Sequence, residues 1–384
     1  KKLGEIAKFS KGKGISKSDI EEDGATECIR YGELYTHYGE VIDDVKSKTN
    51  VDTATLVLSE QNDVIIPASG ETQIDIATAS CVLRPGVALG GDLNIIKTQN
   101  HGVFLAYYLS GKKRYEIANL AQGNSVVHLY SSQLASISLN FPTIEEQRKI
   151  ATLLTLIDQR IQTQSKIIEE LITSITGLKE KLFTQKIKLG NKEDDFAKWE
   201  LKTLKEVSNV KRGASPRPIS SPVWFNENSG VGWVRISDVT KSSKYLVKTE
   251  QYLSKEGIAK SRFIRKGNII MSICATIGKP IYNNFDVCIH DGFVVFENLT
   301  LDKEYLYYYL DYIQLTWYRY GQPGTQVNLN SDIVNNEIIP VPSLEEQKAI
   351  SKVLSVIDDK IEIERNLLEL YKTQKKCLLK NMVI

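Results

Sequence analysis

The chain has 384 residues, 42% apolar and 25% charged, and its 49 basic and 47 acidic side chains leave a net charge of +2. That composition fits a folded protein in water and argues against disordered, collagen-like and membrane-embedded classes, since no apolar run nears the ~20 residues that span a bilayer. The length exceeds one ordinary core and predicts two or three domains. No signal-peptide pattern opens the sequence, so a cytoplasmic location is expected.

Five cysteines, Cys28, Cys81, Cys274, Cys288 and Cys377, are widely spaced and never form a C-x-x-C pair; they read as reduced thiols, mostly buried. The four histidines, His37, His101, His128 and His290, lack zinc-ligand spacing, and no metal site is expected. Charge is spread evenly, with −3 over residues 1–140 and +2, +2 and +1 over 141–190, 191–340 and 341–384. Any site for a polyanion must therefore be a local patch.

In chain order, residues 1–140 mix short apolar or alternating runs, "DVIIPAS" (63–69) and "SCVLRPG" (80–86), with a helical stretch, "HGVFLAYYLSGKKRYEIANL" (101–120). Residues 141–190 predict one long helix. Thr143-x-x-Glu146 forms a capping box behind Pro142, and Ile150, Leu154, Ile157, Ile161, Gln164, Ile168, Leu171, Ile175, Leu178 and Leu182 come after it at steps of four and three. A polar segment, "KLGNKEDDFAKWE" (188–200), then reaches at most ~45 Å, which tethers the next globule near the helix end. Residues 191–340 form a second mixed region with "GNIIMSICATIG" (267–278), "DGFVVFEN" (291–298) and the helical "DKEYLYYYLDYIQLTWYRY" (302–320). Residues 341–384 predict a second long helix behind Pro342, with Ser343-x-x-Glu346 as its box and Ile350, Leu354, Ile357, Ile361, Glu364, Leu368, Tyr371, Lys375, Leu378 and Met382 as its seam.

The two helices are copies. Residues 141–184 and 341–384 share 12 of 44 positions, nine of them between Pro142 and Ile161. Fainter echoes lie upstream: "LGEIAKFSKG" (3–12) with "LKEVSNVKRG" (204–213), "FLAYYL" (104–109) with "YLYYYL" (305–310), and "QGNSVVHL" (122–129) with "QPGTQVNL" (322–329). The unit of repetition is thus a globule plus a helix of ~60 Å. The second helix can pair with the first only by running back along it, an antiparallel coiled coil with approximate two-fold symmetry. Gln164 and Glu364 share one seam position, either facing solvent where the helices diverge or setting their register. Leu153, Leu156, Val353 and Val356 widen the apolar stripe, so the first turns are expected to pack on a globule as well.

No catalytic motif emerges. "KGKGIS" (11–16) lacks phosphate-loop spacing and reads as a basic turn; Asp43-Asp44 and Asp194-Asp195 read as solvated surface. Tyrosines 107–108 and 307–309 could serve as stacking platforms, but their helical spacing with leucines favours core packing.

Pro-x-x-Glu-Glu-Gln followed by Ile-x-x-x-Leu-x-x-Ile-Asp, written twice behind diverged globules, resembles the DNA-specificity subunit of type I restriction-modification enzymes along the whole chain. The resemblance implies an α+β fold with two target-recognition domains, 1–140 and 191–340, separated by two spacer helices, 141–190 and 341–384. It also implies a non-catalytic reader of a split, asymmetric site on double-stranded DNA. Its partners would be two methyltransferase subunits and the restriction and motor subunits, with S-adenosylmethionine, ATP and Mg on those partners and no cofactor in this chain. No membrane is involved. Polar loop groups are the candidate DNA contacts. In the first globule these are Lys11, Lys13 and Lys17 for phosphate, with Arg30, Tyr31, Asn124, Ser125 and His128; in the second, Arg212 and Arg217 for phosphate, with Arg235, Thr276, Lys279, Thr325, Gln326 and Asn328. Each also admits a reading as a solvated turn or a fold-stabilising bond. A coiled-coil adaptor that binds only proteins is the rival for the whole chain, favoured by its near-neutral charge.

Overall fold

The computed structural model describes residues 1–123, 126–189, 199–320 and 329–381. It divides into two units, residues 1–167 with 364–384, and residues 168–363. The division falls within both long helices, Ile144–Phe183 and Leu344–Asn381, so each unit holds one globule, the start of the helix after it and the end of the other helix.

In the first unit a five-stranded sheet runs in the order Ala7–Lys11, Leu93–Thr98, Asp63–Pro67, Ser80–Val82, Val41–Ile42. The first three pairings are antiparallel and the last is parallel. The central strand explains why "DVIIP" reads as an unbroken apolar run, because both its faces are covered. Val64 and Ile66 face the helix Gly102–Ser110, while Ile65 joins Ile29, Leu89 and Ile95. That second cluster lies beneath a small sheet of strands Ser47–Thr49, Thr26–Ile29 and Ala88–Leu89.

The second unit repeats this order strand for strand. Asn209–Arg212, Phe293–Glu297, Ile269–Ser272, Pro280–Asn283 and Tyr245–Leu246 form its five-stranded sheet, again three antiparallel pairings and one parallel. Its smaller sheet, Gln251–Tyr252, Gly232–Val234, Val287–Ile289 and Arg262–Ile264, has one strand more. In the first unit an isolated bridge from Leu58 to Ala88 takes that place. The sequence between the helices has diverged, yet the topology has not.

The twice-written phrase fastens each helix to its globule. Gln147 accepts from His101 N (3.0 Å) and donates to Pro142 O (3.0 Å); Gln347 accepts from Asp302 N (2.7 Å) and donates to Pro342 O (2.8 Å). His101 and Asp302 are the N-cap residues of the helices Gly102–Ser110 and Lys303–Tyr312, so each glutamine satisfies a backbone group at a buried helix start. One face further on, Tyr107 donates to Asp158 Oδ2 (2.6 Å) and Tyr308 to Asp358 Oδ2 (3.2 Å). Ile350, Leu154 and Leu354 are buried in the cores of their globules. Tyr107, Tyr108, Tyr307, Tyr308 and Tyr309 are buried as well, which settles them as core.

The seam positions are buried or half-buried through Leu182 in the first helix and Leu378 in the second; Met382 lies outside the described residues. Within the first unit the helices run antiparallel, with Asp158 against Lys375 (2.8 Å) and Arg160 Nη1 donating to Tyr371 (3.2 Å). In the second unit Leu171, Ile175 and Leu178 share a cluster with Leu354, Ile357 and Ile361.

One open choice is decided, one expectation is narrowed and one changes. Gln164 and Glu364 do not face solvent: they are 6% and 7% exposed, and Gln164 Nε2 donates to the Glu364 carboxylate and backbone oxygen, so each residue meets its own repeat counterpart. The first turns do pack on the globules, through Ala151, Leu154, Ile350 and Leu354, but the residues that widen the stripe do not carry that packing: Leu153, Leu156 and Val356 are 41%, 54% and 62% exposed and Val353 is half-buried. The capping box is complete only in the first helix, where Thr143 N donates to Glu146 (2.9 Å) and Glu146 N to Thr143 Oγ1 (3.3 Å). In the second, Ser343 Oγ accepts from Glu346 N (3.2 Å) while the Glu346 carboxylate accepts from the Trp199 indole (3.0 Å).

Candidate nucleic-acid interface

In each globule three segments converge beyond the first strand of the large sheet. In the second unit Gly213 N donates to Phe293 O (2.9 Å) and Ala214 N to Ile289 O (3.0 Å). In the first, Gly12 N donates to Leu93 O (3.0 Å) and Lys13 N to Leu89 O (2.9 Å). Glycine is required at both places: a Cβ would stand 2.0 Å from His290 O at Gly213 and 2.0 Å from Gly90 O at Gly12. Strand register then fixes the equivalences. Cys28 pairs with Ala88 as Trp233 pairs with Cys288, which sets Arg30 against Arg235 and Gly90-Gly91 against His290-Asp291.

Arg30 and Arg235 have equivalent backbones, each donating N–H at 2.8 Å to the carboxylate three residues on, Glu33 or Asp238. Their side chains differ. Arg30 is half-buried and turns onto Glu33 at 3.4 Å, whereas exposed Arg235 reaches only Gln251, at 3.3 Å.

The second globule encloses an open cavity of about 400 Å³ lined by Ser215, Arg217, Trp233, Arg235, His290 and Asp291, among others. Its groups are ordered by one another. Ser215 Oγ donates to Asp291 Oδ1 (2.9 Å), Arg217 Nη2 lies 3.5 Å from Asp291 Oδ2, and Arg212 Nε donates to Asp291 O (2.6 Å). Partial burial would raise the Asp291 carboxyl, but the Ser215 hydroxyl, its own backbone N–H and neighbouring positive charge outweigh it and hold the group below its ordinary range. His290 is shifted down, chiefly by burial, and its Nδ1 accepts from Gly292 N (2.9 Å), so the neutral ring carries its proton on Nε2. Trp233, 1% exposed, has a buried indole N–H with no partner.

Of the residues singled out from sequence, Arg217 and Arg235 share this cavity and Arg212 borders it through Asp291. Thr276 meets Thr240 at 3.1 Å, and Lys279 donates to Ser242 O (2.8 Å), which ties both to the end of the helix Ile236–Lys241. In the first globule Lys11, Lys13 and Lys17 are exposed on the strand end and the turn beyond it, while Tyr31 is half-buried against the inter-sheet cluster. His128 is exposed on a short strand, bonded through its backbone to Gln122 (2.7 Å). Asn124, Ser125, Thr325, Gln326 and Asn328 lie outside the described residues. Sequence reasoning missed Trp233, His290 and Asp291. The signal for His290 and Asp291 lay in aligning "GGD" (90–92) with "HDG" (290–292), which needs the strand register. Among the described residues no cluster of three His, Cys, Asp or Glu could hold a metal, and no helix is long and apolar enough to cross a membrane.

Matched three-layer globules, each with a cationic rim and each docked on its own long helix, define a duplicated recognition fold. The chain belongs to the type I restriction modification DNA specificity family, whose domain matches twice, over residues 1–173 and 197–371. It is 28% identical over 404 residues to the type I restriction enzyme MjaVIII specificity subunit of Methanocaldococcus jannaschii, covering 98% of this chain and 89% of that protein. The crystal structure of the type I restriction-modification S subunit from M. genitalium superposes with a TM-score of 0.66 at 16% identity, covering 100% of this chain and 95% of that one. A chain from a structural study of assembly and conformational transition in a type I system gives 0.61 at 17% identity, covering 99% and 95%. The role of this chain is DNA sequence specificity within a type I restriction-modification complex, and it is a non-catalytic subunit.

Proposed function

We propose that the chain reads a bipartite, asymmetric site on double-stranded DNA, residues 1–140 reading one half and 191–340 the other, while 141–190 and 341–384 set the unread gap. The carrying observation is one topology with two unlike rims: Gly90-Gly91 in the first globule occupies the place of His290-Asp291 in the second. Equal scaffolds present equivalent loops, and unlike side chains on them select different base pairs. Paired major-groove readers address half-sites about one turn, ~34 Å, apart.

The exposed Leu153, Leu156 and Val356 suit docking of two methyltransferase subunits, which in turn engage the restriction and motor subunits. S-adenosylmethionine, ATP and Mg serve those partners. The test is competition binding by the chain assembled with its methyltransferase. Selective retention of one bipartite duplex over scrambled DNA supports the reading, and equal affinity for all sequences leaves only a protein adaptor.

A further inference from the structure

The cavity in the second globule combines groups that a phosphate site would not. Phosphate is held by cations and N–H donors, and an ionised carboxylate beside it is repulsive. Here Asp291 is held ionised at the same cavity as Arg217 and Arg235. A donor fork beside a fixed acceptor matches a base pair that offers acceptors on one base and an amino group on the other. In the major groove guanine presents O6 and N7 while cytosine presents N4–H, and arginine and aspartate are the side chains that pair with them.

Other features support this use of the cavity. Arg235 has a weak partner in Gln251 at 3.3 Å, so it can turn toward a ligand at small cost. Its backbone is fixed by the bond to Asp238 at 2.8 Å, which places the side chain on a rigid element. Asp291 is oriented by Ser215 at 2.9 Å, and Trp233 lines the cavity beside it.

Resting on the recognition reading above, we propose that this cavity reads one G·C pair of the second half-site, Arg235 donating to guanine O6 and N7 and Asp291 accepting from cytosine N4. The equivalent positions of the first globule do not repeat this pair, since Gly90-Gly91 supplies no carboxylate and half-buried Arg30 lies on Glu33.

The test uses the assembled complex with its methyltransferase subunits, and a pooled DNA library scored for methylation at single-base resolution. Exchanging residues 191–340 for those of a relative first identifies the half-site that this globule governs. Arg235→Lys and Asp291→Asn are then compared with wild type, with thermal melting confirming that each folds. Each is expected to relax selectivity at the same single base pair by roughly 5- to 150-fold while the other positions hold. A wild-type half-site lacking a required G·C pair, or unaltered selectivity in both folded variants, overturns the proposal alone. A wild-type complex with no bipartite motif overturns the underlying reading, and this inference with it.

Discussion

The two globules share a strand order, a strand polarity and a glycine at the same close approach, yet their rims carry different chemistry. The first presents Gly90-Gly91 beside a folded-in Arg30; the second presents His290-Asp291 beside a freer Arg235. Buried positions such as Ile65 and Ile270 are held in the cluster between the large and small sheets, where a change of volume is felt at once. Rim positions carry no such constraint and can diverge without loss of fold. A duplicated scaffold can therefore acquire two specificities by altering a few loop residues.

Replacing a whole globule should have the largest consequence. Exchanging residues 1–140 for those of a relative should replace one half of the methylated motif and leave the other intact; change in both halves, read by methylome sequencing, contradicts modular recognition. Inserting one heptad after Gln164 and another after Glu364 should lengthen the gap between the halves, and an unaltered gap would show that the helices do not set it. A smaller effect probes the anchors. Gln347→Ala should destabilise the second globule by about 2 kcal/mol, since it strands one buried and one partly buried backbone group, and Gln147→Ala, whose two bonds are both partly buried, should cost the first somewhat less. Urea titration measures both, and losses under about 0.5 kcal/mol would mean that solvent replaces the glutamines. The finest contrast is at the caps. Thr143→Ala breaks a reciprocal box and should cost about 1 kcal/mol, whereas Ser343→Ala, which removes one acceptor, should cost roughly half as much.

What the sequence disclosed depends on the range of each interaction. The seam from Ile150 to Leu182 and the boundary at Thr143 are local patterns, legible from spacing alone. The order of five strands was not, because pairings such as Ala7 with Thr98 join residues far apart in the chain. Gln164 left two readings open since a polar seam residue looks alike whether solvated or bonded, and its burial against Glu364 decides between them. Leu153 and Leu156 misled because the spacing of an apolar stripe does not reveal which of its residues meets the globule, and Leu154 is the one that does. Glu346 was read as half of a cap, and a tryptophan 147 residues away took its carboxylate. At the candidate interface Arg217 and Arg235 were accessible as loop cations, while Asp291 looked like the start of a strand until register placed it beside them.

On the proposed function, one topology carries two different readers. Single-base mapping of the adenines methylated by the assembled wild-type complex tests it most directly. One motif of two unlike halves separated by a gap of fixed length is expected. Two identical halves, or methylation at sites with no bipartite sequence, would contradict it.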